Sequence, residues 1–268
     1  MATKISATTS RVQWISIGAA IVLLLVLYFG FSTKSPEHKQ IELVRSQNIE
    51  STSIQNLLNE AGKELSPEAS NLLHAMEAEM QAAGESDSAR LEHYKAMSSF
   101  WYEQGKYPIA GHFAEKVAQV LQTAEAWSIA GTTHAATLQR DENEERRNFS
   151  LKRAVNAFES AISLQPDNPQ HQLNLALCYA EMPPADNPMK GIQMLLKLQE
   201  EQPEYIGAKI ALVRLAIKTA QYERALERLN QASDIDPDDP RLPCLYFQVH
   251  QALGNAEEAA KYEIDCLK

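Results

Sequence analysis

Residues 203–237 read PEYIGAKIALVRLAIKTAQYERALERLNQASDIDP, and the spacing of their small residues and prolines decides the fold. Pro203 and Pro237 lie 34 positions apart, and Ala225 precedes the second proline by 12. The same separation of 12 occurs twice upstream, between Ala154 and Pro166 and between Gly191 and Pro203. Repetition at 34 residues is typical of arrays of helical hairpins, so the sequence predicts an all-α solenoid.

Five units follow from this period, at about 91–123, 124–168, 169–205, 206–239 and 240–268. The first unit has Gln122 where a proline is expected, and the second is longer than the period between its halves. Its extra residues, 139–153, read QRDENEERRNFSLKR. This mixture of charges predicts a solvated extension of a helix, with opposite charges paired four residues apart. A docking segment for a partner is the alternative.

Residues at fixed places in the units resemble those of the tetratricopeptide repeat family. They include Trp127, Ala130-Gly131, Asn174-Leu175-Ala176, Tyr179, Gln221-Tyr222 and Gly254-Asn255-Ala256, with Gly105-Lys106-Tyr107 in the first unit. Small residues let neighbouring helices approach each other, large ones fill the holes between them, and proline ends the second helix. The resemblance implies a right-handed superhelix whose concave wall consists of the first helix of each hairpin. In this family that wall usually binds a peptide or a partner protein.

The resemblance also implies that side chains at fixed positions of each first helix line this groove. Those predicted to bind a partner are Tyr102, Leu173, Leu177, Ile210, Arg214, Ile217, Lys218, Arg241 and Gln248. Aliphatic residues beside Arg and Lys suit an apolar partner segment with an acidic or carboxylate end. The alternative for each Leu and Ile is packing between units. Family members that bind chaperone tails need Asn where Ser99 and Thr132 stand, so Hsp70 and Hsp90 tails are disfavoured.

Residues 14–31 read WISIGAAIVLLLVLYFGF and carry no charge, with Arg11 before them and Lys34 after them. As a helix they would measure about 27 Å, close to the ~30 Å core of a bilayer. We predict an N-terminal tail over 1–13 and a single transmembrane anchor over 14–31, with a cleaved signal peptide as the alternative. The flanking charges are nearly balanced. Because the tail is short, we expect an inner-membrane protein whose body lies in the periplasm.

Residues 32–90 are predicted to form a helical stalk and a packing helix. Ser35-Pro36-Glu37 and Ser66-Pro67-Glu68 are both typical of helix starts. After the second start, an apolar stripe follows at helical spacing, comprising Ala69, Leu72, Leu73, Met76 and Met80. This second helix is therefore expected to pack onto the repeats.

Composition excludes several functions. The 268 residues carry a formal charge of −10, and Lys4 and Arg11 add +2 before residue 34, so the remainder carries −12. Such an acidic body would repel a nucleic-acid backbone. Cys178, Cys244 and Cys266 make no zinc pattern and are predicted to be small buried residues, while His134 and His250 take core aromatic positions. No catalytic or phosphate-binding motif is present, so neither an enzyme nor a cofactor or metal site is expected.

An anchor joined to a repeat array predicts a membrane-anchored scaffold or adaptor that holds a protein partner near the membrane. The alternative is an assembly factor that receives unfolded clients, resembling the anchored repeat subunits of bacterial cytochrome c maturation systems. The last unit also leaves Ile264 and Leu267 near its end, so self-association through the C-terminal unit is a further possibility.

Overall fold

The computed structural model describes residues 14, 15, 17, 54–83 and 86–267, and every regular element among them is an α-helix. By its contacts the chain divides into two units, Met1–Leu57 and Leu58–Lys268. Most of the predicted anchor, 14–31, lies outside the described residues, although Trp14, Ile15 and Ile17 are helical. Among the described residues no helix combines the length and the apolar character needed to cross a bilayer.

Twelve helices lie within 54–83 and 86–267. They are α1 (54–64), α2 (Pro67–Ala83), α3 (Asp87–Glu103), α4 (Tyr107–Leu121), α5 (Ala124–Arg140), α6 (Glu144–Leu164), α7 (Pro169–Glu181), α8 (Lys190–Glu201), α9 (Ile206–Lys218), α10 (Tyr222–Ser233), α11 (Leu242–Ala252) and α12 (Ala256–Cys266). From α3 onward they pair in sequence as five hairpins, and each hairpin contacts the next. Helix α2 contacts α3, with Leu73, Met76 and Met80 half-buried and Leu72 exposed.

Local sequence signals set where these helices begin. Thr123 Oγ1 accepts a hydrogen bond from the Ala126 amide, and Asn143 and Asn168 cap α6 and α7 with their side-chain oxygens. These bonds satisfy amides that have no partner within a helix. Each cap therefore fixes the residue at which its helix begins.

Two positions depart from the repeat pattern: Gln122 at the end of α4, and Ala220 in the turn inside the fourth hairpin. Gln122, which replaces the expected proline, has a φ of 53° and ends α4 in the left-handed conformation. The turns inside the first, fourth and fifth hairpins place Gly105, Ala220 and Gly254 at φ of 69°, 55° and 76°. Only the fourth hairpin uses a residue with a Cβ there, so Ala220 is strained.

Small residues permit the close packing of the hairpins. A Cβ added to Gly191 would lie 2.4 Å from the Ala180 nitrogen, in the backbone of α7. A Cβ added to Gly131 would lie 2.6 Å from the ring of Phe158, which is itself buried. Larger side chains at these places would push the helices apart.

The charged stretch 139–153 lengthens α6 at its start, as the predicted extension would. Three of its arginines also bind residues outside α6. Arg146 binds Asp141 through Nε and Nη2 at 2.6 and 2.8 Å, and Arg147 Nε donates to the Leu138 carbonyl. Arg153 reaches α4, where its Nη1 donates to Glu115 at 2.8 Å. The stretch therefore holds the α5–α6 turn and joins two hairpins.

The cysteine prediction was wrong for two of the three residues. Cys244 and Cys266 form a disulfide between α11 and α12, because hairpin pairing brings their Cα atoms to 4.5 Å across 22 residues of sequence. Cys178 is free and buried, as predicted. Burial raises the pKa of its thiol to about 12, so it stays protonated and unreactive.

Candidate functional site

The first helices of the hairpins are α3, α5, α7, α9 and α11, and their shared surface is the A-helix face. Among them, α5 contacts α7, α7 contacts α9, and α9 contacts α11. Direct contact between these helices makes the A-helix face continuous over units two to five.

Several side chains predicted to line the groove are accessible on this face. Tyr102 and Leu177 are 41% and 38% exposed, which is high for large hydrophobic residues. Arg214, Lys218 and Gln248 are exposed, and Ile217 is half-buried.

Leu173 and Ile210 are not available to a partner. They are only 7% and 2% exposed, and each belongs to a core cluster that includes residues of the next hairpin. These are Ala208 and Leu212 for Leu173, and Leu245 and Val249 for Ile210. For these two residues packing between units is the correct interpretation.

Two of the three predicted cations are already neutralised within the chain. Arg241 binds Asp239 with its Nε at 2.8 Å, and this hydrogen bond lowers the pKa of the Asp239 carboxyl. Lys218 Nζ lies 2.9 Å from Glu181 Oε2 on α7. Arg214 has no hydrogen bond or ion pair with a described residue, although its charge contributes to the lowered pKa of the Asp239 carboxyl. The acidic-end preference predicted for the groove therefore rests on Arg214.

A cavity of about 270 Å³ opens on this face between units two and three. Its lining comes from α5, α6 and α7 and comprises Thr132, Ala135, Ala136, Leu138, Gln139, Arg140, Phe158, Asn174, Leu177, Cys178 and Glu181. Of these, only Leu177 was predicted as a binding residue. Asn174, Leu177 and Glu181 follow one another at three and four positions, so helical periodicity could have identified them as one stripe.

An aromatic and cationic edge adjoins this cavity. Arg140, which lines the cavity, donates from Nη1 to Tyr107 Oη at 3.0 Å, with its guanidinium 5.2 Å from the centre of the Tyr107 ring. The Tyr102 and Tyr107 rings meet edge to face at 5.1 Å. This contact links the exposed Tyr102 to the cavity and places large aromatic surface beside it.

Buried polar residues behind α5 stabilise the framework of the site. Glu115 is 5% exposed, lies 3.0 Å from His134 Nε2, and accepts a hydrogen bond from Arg153. Burial raises the pKa of Glu115, but hydrogen bonding to His134 and the charge of Arg153 outweigh it and lower the pKa overall. His112, also beside this cluster, has its pKa lowered to about 4 by burial. His134 and His250 are both buried, in agreement with their predicted core positions.

Comparison with known proteins supports the repeat interpretation. A sequence model described as tetratricopeptide repeat matches residues 189–243, which contain α9 and α10. This match confirms the tetratricopeptide resemblance. The fold and the match together show a helical-repeat architecture similar to that of tetratricopeptide proteins, which are generally non-catalytic protein-interaction modules.

The chain is also similar to several solved structures, of which TTC0263 and YrrB are described as tetratricopeptide repeat proteins. TTC0263 of Thermus thermophilus is 19% identical with a TM-score of 0.47, over 75% of this chain and 98% of that one. PilW, a type IV pilus biogenesis factor, is 16% identical with a TM-score of 0.46, over 81% and 90%. YrrB, which has an unusual peptide-binding site, is 15% identical with a TM-score of 0.36, over 65% and 82%. No curated protein matches the chain.

Proposed function

We propose that this chain is a protein-interaction scaffold that binds an extended partner segment on its A-helix face. The observation that carries the proposal is the cavity between α5 and α7, where Leu177 remains 38% exposed. Exposed apolar surface in a concave site flanked by polar groups is characteristic of ligand and peptide sites. A large partner side chain in this cavity would cover Leu177.

The chemistry of the cavity suits an apolar side chain on an extended backbone. Leu177, Ala135 and Ala136 supply apolar walls, while Thr132 and Asn174 supply a hydroxyl and an amide to pair with peptide groups. Arg140 and Glu181 bring one charge of each sign to the cavity wall. We therefore expect the apolar side chain to contribute most of the binding energy and the polar groups to set orientation.

The membrane anchor and the periplasmic body are part of the same proposal. The uncharged stretch 14–31 is long enough to span a bilayer, and it would tether the repeats near the membrane surface. The Cys244–Cys266 disulfide supports a body outside the cytoplasm, because structural disulfides persist in oxidising compartments. A tethered array would concentrate its partner at the membrane.

A matched pair of variants tests the site. Leu177→Glu places a charge in the cavity, whereas Leu196→Glu places the same charge at a leucine of equal exposure on α8, 37% against 38%, that does not line the cavity. The full-length chain and both variants would be purified from native membranes after crosslinking, and copurifying proteins quantified by mass spectrometry.

We expect Leu177→Glu to lose at least one reproducible partner that Leu196→Glu retains, with unchanged helical circular dichroism in both. Equal recovery by the two variants, or equal loss, would place the binding surface elsewhere. The recovered proteins also separate the two functions predicted from sequence. Folded neighbours at fixed stoichiometry favour the scaffold, and unfolded tails of one class favour the client receptor.

A further inference from the structure

A second cavity, of about 400 Å³, lies between units three and four, where the proline-rich connection between α7 and α8 approaches α9 and α10. Its apolar lining comprises Ala180, Pro183, Pro188, Met189, Ile192, Leu212, Leu215 and Ala216. Its polar lining comprises Lys218, Thr219, Gln221, Arg224 and Arg228. We call it the cationic pocket, since its three charged groups are all positive.

Arg228 is the unusual member of this pocket. It is half-buried, and among the described residues no hydrogen bond or ion pair neutralises its guanidinium. Burial and repulsion from Arg224 both lower its pKa. Arg224 Nη1 donates to Gln221 Oε1 at 2.6 Å, a neutral acceptor. The pocket therefore combines an apolar floor with two arginines that form no hydrogen bond or ion pair with a described carboxylate, although the charge of Glu227 partly offsets the lowering of the Arg228 pKa. The body around it is strongly negative overall.

The last helix presents the complementary surface. Ile264 and Leu267 are 69% and 81% exposed, the two most exposed hydrophobic side chains described within the repeats. They lie three residues apart at the end of α12, with the exposed carboxylates Glu263 and Asp265 beside them. The Cys244–Cys266 disulfide ties this end to α11. An apolar edge flanked by acids matches an apolar pocket lined by arginines.

We propose that the end of α12 of one copy docks in the cationic pocket of a second copy. Ile264 or Leu267 enters the apolar floor, and Glu263 pairs with Arg228, whose buried charge then gains a carboxylate partner. The pocket and α12 are different surfaces of the chain, so the contact is head to tail and can join more than two copies. The pocket shares Lys218 with the A-helix face, whereas Arg224 and Arg228, which the experiments below change, lie on α10 outside that face.

Site-specific photocrosslinking in native membranes tests the interface with the full-length chain. A benzoylphenylalanine at position 264 would be irradiated, and the crosslinked peptides identified by mass spectrometry. The matched control carries the same photoreactive residue at Leu72, an exposed leucine on α2, 53% accessible. We expect a crosslinked dimer from position 264 whose second peptide contains residues of the cationic pocket, and none from position 72.

Charge reversal provides the second readout. Arg224→Glu with Arg228→Glu should reduce the dimer from position 264 at least fivefold. Lys95→Glu with Lys197→Glu, which makes the same change in net charge at exposed lysines outside the pocket, should leave it unchanged. Helical circular dichroism and melting temperature would show that both variants fold.

Three results would overturn the proposal. These are the absence of a dimer from position 264, a dimer whose second peptide lies outside the pocket, and a dimer unaffected by the arginine reversals in a folded variant. Crosslinking of position 264 to a different protein in place of a second copy would also refute it, since the exposed edge would then serve another partner.

Discussion

Gly191→Ala is expected to destabilise the array because α8 packs tightly against the backbone of α7 at this position. The added methyl carbon would lie 2.4 Å from the Ala180 nitrogen, 2.6 Å from the Ala176 oxygen and 2.8 Å from the Tyr179 carbonyl carbon. Ordinary contacts need about 1 Å more, so α7 and α8 must separate. Because the obstacle is backbone, no change of side-chain rotamer can relieve it.

The magnitude follows from two opposing effects. Overpacking a well-packed core costs about 1–3 kcal/mol, and separation also loosens the contacts of Leu195 and Leu198, which are 0% and 2% exposed. Alanine gains about 1 kcal/mol over glycine in a helix. We expect a net loss of about 1 kcal/mol, which lowers the melting temperature of a domain of this size by about 2–4 °C.

Gly62→Ala is the matched control. Gly62 also lies within a helix, but a Cβ there would meet nothing within 4 Å, so this variant should gain about 0.5–1 kcal/mol. Urea titrations of the full-length chain, followed by helical circular dichroism, give both free energies of unfolding. Amide hydrogen exchange should show the loss in α7 and α8 first, because solenoids open locally.

A melting temperature of Gly191→Ala equal to or above that of the parent would refute the reasoning. It would mean that α7 and α8 can move apart without losing packing. An equal loss of stability in Gly62→Ala would show that the effect comes from replacing any helical glycine, and not from the α7–α8 contact.

Four further results are expected. Ala220→Gly should raise the free energy of unfolding by about 0.5–1 kcal/mol in the same titrations, because it relieves the left-handed φ of 55°; a lower stability would contradict this. Acidification from pH 6.5 to 4 should lower the free energy of unfolding by up to about 3 kcal/mol through His112. The pKa of His112 is about 4 in the folded chain and 6.5 in the unfolded chain, so only the unfolded chain takes up the proton in this range. His112→Leu should flatten this part of the pH profile. Cys244→Ser should cost about 3 kcal/mol from the loop of 22 residues that the disulfide closes, with no added effect of reductant on the variant. A reporter that is active only in the cytoplasm, fused after Lys268, should be silent, and strong activity would reverse the proposed topology.

The binding surface was only partly predictable from sequence. The tetratricopeptide resemblance placed Leu177 and Arg214 in the groove, and both are exposed in the structure. It treated Leu173 and Ile210 in the same way, although both are buried. Whether an aliphatic residue of an inner helix meets solvent or the next hairpin depends on the angle between hairpins. A repeat pattern does not specify that angle.

The sequence by itself determined the local structure of this protein. Its period of 34, its capping residues and its small residues act within a hairpin or between adjacent hairpins, and such short-range interactions can be read along the chain. The tertiary structure alone decided the contacts between distant residues. These include the Cys244–Cys266 disulfide, the Arg153–Glu115 pair, the cavity at Leu177 and the half-buried Arg228 in the cationic pocket. Each depends on the distance between two helices in space, which is set by how all the intervening side chains pack.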